Sequence, residues 1–203
     1  MPDSDADSHS SVAPSGAGGT AEARTCAADI VSRFGLDRTS LVVEIDSGDG
    51  SLLRHFVARH ILALGIEPAV TMARAARRVG VPTRVGVFDS AAARHLLADG
   101  FAADVVVATR VLAHAPGLDD VVLGISRLLK RDGAAVLELP RASLASTERL
   151  CGRHGLRVFD VTPVPANGSA LRVFVQHVGG PHRGIIAGAP FRASMTPAPI
   201  HLG

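Results

Sequence analysis

Leu41-Val42-Val43-Glu44-Ile45-Asp46-Ser47-Gly48-Asp49-Gly50-Ser51-Leu52-Leu53 passes from an apolar run through a glycine-rich bend into an amphipathic restart. Residues 41 to 45 have the character of a parallel strand buried on both faces. Gly48 and Gly50 let the backbone approach a ligand closely, and Leu52, Leu53, Phe56 and Val57 recur at helical spacing. The stretch reads as the first strand–loop–helix crossover of a nucleotide-binding α/β domain, with the turn as candidate site. The dinucleotide pattern G-x-G-x-x-G asks for a third glycine where the helix must pack over a pyrophosphate. Leu53 stands there instead. A second apolar run, Leu62-Ala63-Leu64-Gly65-Ile66-Glu67-Pro68, ends in a carboxylate at roughly the twenty-residue offset at which such a group meets ribose hydroxyls. Glu67 also reads as a helix-entry acid, with Pro68 at the first helical position, and the two readings are compatible.

Around this core the chain has 203 residues, room for one well-filled α/β domain. The apolar fraction is 47% with no Trp and no Tyr, so the core must be built from Ala, Val and Leu. A formal charge of +2 with scattered basic residues shows no nucleic-acid footprint, so no nucleic-acid partner is expected. Two cysteines, Cys26 and Cys151, make neither a four-cysteine metal site nor a disulfide framework, so no metal and a cytoplasmic location are expected. Residues 1–20 are polar and small and are expected to be disordered, without the pattern of a signal peptide. Residues 21–178 form the expected domain, and 179–203, rich in proline, an expected flexible tail. No membrane-spanning run is expected.

Along the domain, Ala21 to Phe34 reads as a lead-in helix ended by Gly35. A helix over Ala69 to Val79 follows the second strand, then a short strand over Arg84 to Phe88 and a helix over Ala91 to Ala98 capped by Asp89-Ser90. Asp104 to Thr109 reads as a central fourth strand. Leu118 to Leu129 is an amphipathic helix with acids in its first turn and bases in its last. After a Lys130–Gly133 turn come a strand over Ala134 to Leu139 and a helix over Ser143 to His154. Leu156 to Val161 and Ala170 to His177 are joined by a connection too short for a crossover helix, so they must pair antiparallel. The expected fold is therefore α/β and Rossmann-like, a mostly parallel seven-stranded sheet ending in an antiparallel hairpin.

Glu44, Asp46, Gly48 and Gly50 resemble the acidic strand end and alternate glycines of S-adenosylmethionine-dependent methyltransferases, with Asp46 at the first glycine position. More widely, Val42-Val43-Glu44-Ile45, Leu64-Gly65-Ile66-Glu67-Pro68, Ala103-Asp104-Val105-Val106-Val107-Ala108, Val111-Leu112-Ala113-His114, Leu128-Leu129-Lys130-Arg131-Asp132-Gly133 and His154-Gly155-Leu156-Arg157-Val158-Phe159-Asp160-Val161 resemble the central domain of the bacterial sugar C-methyltransferases. The resemblance covers roughly residues 40–178. It implies S-adenosyl-L-methionine as cofactor, with the turn Glu44 to Gly50 on its methionine part, Glu67 and adjoining Pro68 on its ribose, and Phe88 and Asp89 on its adenine side. Thr109-Arg110 falls at the mouth of the fourth strand, where the family tends to have amides.

Against that family, the zinc domain, the Tyr- and His-rich catalytic segment after the fifth strand and the C-terminal domain are expected to be missing. A hydroxyl or carbon acceptor needs a proton acceptor, and His114, after the fourth strand, is the candidate catalytic residue; its other reading is a loop histidine packed on the next helix. The expectations are a methyltransferase acting on a small-molecule, sugar-related acceptor, or a degenerate methyltransferase-like module that binds cofactor or protein. Neither a protein partner nor a homodimer is excluded, and a nucleotide-binding oxidoreductase is disfavoured by Leu53 and the terminal hairpin.

Overall fold

The computed structural model describes residues 17–109, 117–164 and 167–184. Seven strands form one sheet, β1 (Leu41–Ile45), β2 (Leu62–Glu67), β3 (Thr83–Val85), β4 (Ala103–Ala108), β5 (Leu129–Pro140), β6 (Leu156–Val164) and β7 (Asn167–His177), in the order β3-β2-β1-β4-β5-β7-β6. The first five run parallel, and β7 is antiparallel to both β5 and β6. The expected fold class therefore stands: a connection of two residues between Val164 and Asn167 leaves antiparallel pairing as the only closure.

Alternation along the strands divides the core into two layers. Val43, Ile45, Val106, Ala135, Leu137 and Val173 face α4 (Ser90–Ala98), α5 (Leu118–Leu128) and α6 (Leu144–Arg153). Val42, Val105, Val107, Val136 and Phe174 face α1 (Ala17–Phe34) and the short α2 (Arg54–Val57), with Ala76 of α3 (Val70–Arg78). At the amino ends of the strands Asp104 ties three elements together. It accepts from Leu41 N at 2.7 Å and from Lys130 Nζ at 2.7 and 2.8 Å, which accounts for an acid opening an otherwise apolar strand.

Several boundaries differ from the sequence expectation. Helix α1 begins at Ala17, inside the segment expected to be disordered. The tail expected from residue 179 is docked as far as Gly184: Gln176 donates to His182 O at 2.8 Å and accepts from His182 N at 2.9 Å, while the His182 ring stacks on Phe159. Two satisfied backbone groups and a ring contact outweigh the ordering entropy of a short proline-containing segment. Strand β5 starts at Leu129 rather than after a turn, with an irregularity in its pairing to β4 between Ala103 and Val105. Helix α2 is a single turn, because His60 adopts φ 58° and the chain must re-enter the sheet at Leu62.

Candidate functional site

The order of the strands reverses between β1 and β4, so the crevice beyond their carboxyl ends is where an open α/β sheet receives ligands. The loop after β1 lies there. Asp46, Gly48 and Gly50 have φ of 53°, 57° and 78°, the left-handed region that L side chains rarely enter. The loop is tied to the end of β2 by Ser47 N donating to Ile66 O at 3.2 Å and Gly48 N donating to Glu67 Oε2 at 2.7 Å.

Glu67 is buried and its other oxygen accepts from Ala69 N at 2.8 Å. One carboxylate thus fastens the glycine loop and the entry to α3. Ala69 is the N-cap of that helix and Val70 its first residue, so Pro68 lies just before the cap, exposed, and not at the first helical position. Pro68 cannot donate, so the carboxylate engages the next N–H along the chain. Each carboxylate oxygen retains a second lone pair.

The remaining residues singled out from the sequence separate into edge and core. Thr109, following β4, and Asp46 are half-buried at the carboxyl edge, and Gly48 is buried in the loop. Asp89 caps α4 by accepting from Ala92 N at 2.7 Å. Glu44 is 4% exposed and faces the α1 layer. Phe88 is a buried core residue, its ring lying where a Cβ on Gly124 of α5 would come within 2.9 Å. Gly50 is closely packed as well: a Cβ there would meet Val81 Cγ2 at 3.0 Å and Ala76 Cβ at 3.1 Å. His114 lies outside the described residues.

Sequence reasoning passed over three residues that the fold brings to this edge. A Cβ on Gly65 would stand 2.3 Å from Ser47 Oγ, so β2 must carry glycine where the loop seats on it. Glu138 of β5 and Arg172 of β7 are register partners, and Glu138 Oε1 accepts from Arg172 Nε at 3.0 Å and Nη2 at 2.7 Å. Burial works against the Arg172 charge, but Cys26, Glu138 and Asp29 around it more than offset this and raise its pKa. Burial also pushes the Cys26 thiol up to about 12, which keeps it a neutral core side chain. The sequence signal was a single charge in each of two apolar runs, Ala134–Leu139 and Ala170–Val175.

Comparison with known proteins bears on this arrangement. Residues 43–135 match the profile of a methyltransferase domain family. The chain is similar to the C-methyltransferase NovU of Streptomyces niveus, 29% identical over 172 residues. That match covers 75% of this chain and spans about two fifths, 41%, of the relative's length. Among solved structures, a TehB-like S-adenosylmethionine-dependent methyltransferase from Corynebacterium glutamicum aligns with a TM-score of 0.60 at 15% identity, covering 77% of this chain and 88% of that one. The magnesium protoporphyrin IX methyltransferase of Synechocystis, solved with bound S-adenosylmethionine, aligns with a TM-score of 0.61 at 14% identity, covering 78% of this chain and 81% of that one. At such identities the structural likeness concerns the fold.

Proposed function

We propose that the chain carries a class I S-adenosylmethionine-dependent methyltransferase domain, supported by the family match over residues 43–135 and the similarity to NovU, and that it transfers the methyl group of S-adenosyl-L-methionine to a small-molecule acceptor. The observation that carries this reading is the buried Glu67 carboxylate closing the glycine loop at the point where the strand order reverses. The residues present fit the cofactor. Glu67 has lone pairs left for ribose hydroxyls, and Gly86 N donates to Glu67 O at 3.1 Å, which sets the exposed Val87 beside it. Val70 and Val87, 47% and 70% exposed, supply an apolar lip for a base, and Asp89 stands at the head of α4 on the same side. Glu44, Asp46, Gly48 and Thr109 are proposed for the methionine end, and Pro68 for the ribose side.

The cofactor supplies a sulfonium-bound methyl with an excellent leaving group, so the domain's main work is to hold acceptor and methyl at near-attack distance. A sugar-related acceptor is the narrower form of the reading, supported by the resemblance of residues 40–178 to the sugar C-methyltransferase domain. His114 on the loop after β4 is one candidate for the proton acceptor. A second reading, a module that binds cofactor without transfer, is favoured by one observation, the non-glycine Asp46 at φ 53°. Calorimetric titration with S-adenosylmethionine and with NAD tests the first step. Saturable binding of the sulfonium compound alone is expected, and binding of NAD in its place overturns the reading. Binding without transfer to any acceptor favours the second.

Among the described residues no helix is long and apolar enough to cross a membrane.

A further inference from the structure

We propose that Glu138 is the proton acceptor of this domain and Arg172 its positioning residue, serving acceptors whose oxygen or carbon must lose a proton as it is methylated. The inference rests on the methyl-transfer reading above and deepens it.

Register places the pair. Glu44 on β1 lies level with Val107 on β4, and Val107 with Val136 on β5, so Glu138 stands one pleat further toward the carboxyl edge and on the same face as Glu44. Glu67 and the loop occupy the β1–β2 side of the reversal point, which leaves the β4–β5–β7 side for the acceptor. Glu138 is one carboxylate on that side; Asp29 of α1, beside Arg172, is another. Glu138 Oε1 is held twice by Arg172, its Oε2 has no hydrogen-bond partner among the described residues, and its side chain is 21% exposed. A cavity of about 260 Å³ adjoins Arg172, lined also by Asp29, Arg33, Thr162 and Phe174; Glu138 does not line it and meets it only through Arg172.

Stability gives no reason for these charges. A paired charge in a sheet core is at best neutral against apolar residues of similar volume, and both neighbours of Glu138 on β5, Leu137 and Leu139, are buried and apolar. The double hold on one oxygen fixes the side-chain rotamer and leaves the other oxygen without a hydrogen bond among the described residues, as a general base requires. In the step itself, the acceptor's electron pair forms the new bond to the methyl carbon while the carbon–sulfur bond breaks. The sulfonium departs as a neutral thioether, and the acceptor's proton passes to Glu138 Oε2, so charge and atoms balance. Cys26 is excluded from this role by its neutral, buried thiol. Arg172 from β7 pairs with Glu138 directly, and Cys26 and Asp29 from α1 and Glu44 from β1 are the other titratable groups around Arg172 and Cys26.

The test uses the full chain with S-adenosylmethionine and two probes, catechol, whose hydroxyl must be deprotonated, and thiophenol, which is already a thiolate at mildly alkaline pH. Glu138→Gln preserves shape and can still accept from Arg172, so it is expected to fold and to bind cofactor as wild type does. Its kcat toward catechol should fall ~10²–10⁴-fold with KM little changed, and the acidic limb of the pH–rate profile should disappear. Its rate toward thiophenolate should be retained. Arg172→Lys should lower kcat toward catechol and displace the acidic limb while sparing thiophenolate. An unchanged profile in Glu138→Gln, an equal loss toward both probes, or loss of the acidic limb in His114→Ala instead overturns the inference while leaving the methyl-transfer reading in place. Failure of wild type to methylate either probe with cofactor bound overturns the inference, and failure to bind cofactor overturns the reading beneath it.

Discussion

Glu67 carries two duties that a sequence pattern cannot separate. Its oxygens accept from Gly48 N and Ala69 N at 2.7 and 2.8 Å, so a substitution alters the loop before any ligand arrives. Glu67→Ala should cost about 1.5–3 kcal/mol of folding stability, the range for hydrogen bonds to a charged group, and should weaken S-adenosylmethionine binding as well. Chemical denaturation and calorimetry on the same variant check both, and unchanged values in both remove Glu67 from the site. Asp46 poses the opposite problem. At φ 53° its Cβ is strained, although aspartate tolerates this region better than most residues. Asp46→Gly should match wild-type stability and bind cofactor more tightly. Asp46→Ala, strained and without the carboxylate, should be less stable than Asp46→Gly by ~1–2 kcal/mol. An Asp46→Gly variant that fails to fold would show that the side chain's own contacts outweigh the backbone term.

Between elements, the decisive contact is the loop after β1 seated on β2. Gly65→Ala would place a methyl 2.3 Å from Ser47 Oγ and 3.1 Å from Thr83 Oγ1, so the loop must lift. An overpacking cost of about 1–3 kcal/mol is expected. Gly152 in α6 has nothing within 4 Å of the same added atom, and Gly152→Ala should stabilise by ~0.5–1 kcal/mol through helix propensity. Urea midpoints of the two variants should move in opposite directions; movement in the same direction would contradict the seating of the loop. The spacing of Leu52, Leu53, Phe56 and Val57 was legible as an apolar helical face, and the first three are buried with Val57 half-buried. Its length was not, since where α2 stops depends on how soon the chain must reach β2.

For the molecule as a whole, ligand binding and alkaline pH are the two levers. A ligand present at a hundred times its Kd adds about 2.7 kcal/mol to the folded state. S-adenosylhomocysteine should therefore raise the thermal midpoint by roughly 5–10 °C in a domain of this size, and no rise at saturating ligand would argue against the cofactor site. Burial raises the Cys26 and Cys151 thiols to about 12 and about 11 in the folded chain, above the ordinary thiol value of 9.0. The native state then keeps protons that the unfolded chain has released. Stability should be complete below about pH 9 and decline as pH rises toward 12. The double variant Cys26→Ala/Cys151→Ala, less stable overall, should show a flatter decline in urea titrations across that window; an undiminished slope would place the alkaline loss elsewhere.

The order of elements, the parallel run of five strands and the closing antiparallel hairpin were all determined by the sequence itself, because period, strand hydrophobicity and connection length are local properties of the chain. Glu67 and the glycine turn were legible for the same reason. What tertiary structure decided was the direction and company of individual side chains. Phe88 turns into the core against Gly124, and Gly50 yields its space to Val81. Glu138 meets Arg172 across 34 residues of chain only because β7 enters between β5 and β6. Which strands become neighbours, and in which register, depends on the joint packing of both faces of the sheet, and one residue of slip would send Glu138 or Arg172 to the opposite layer.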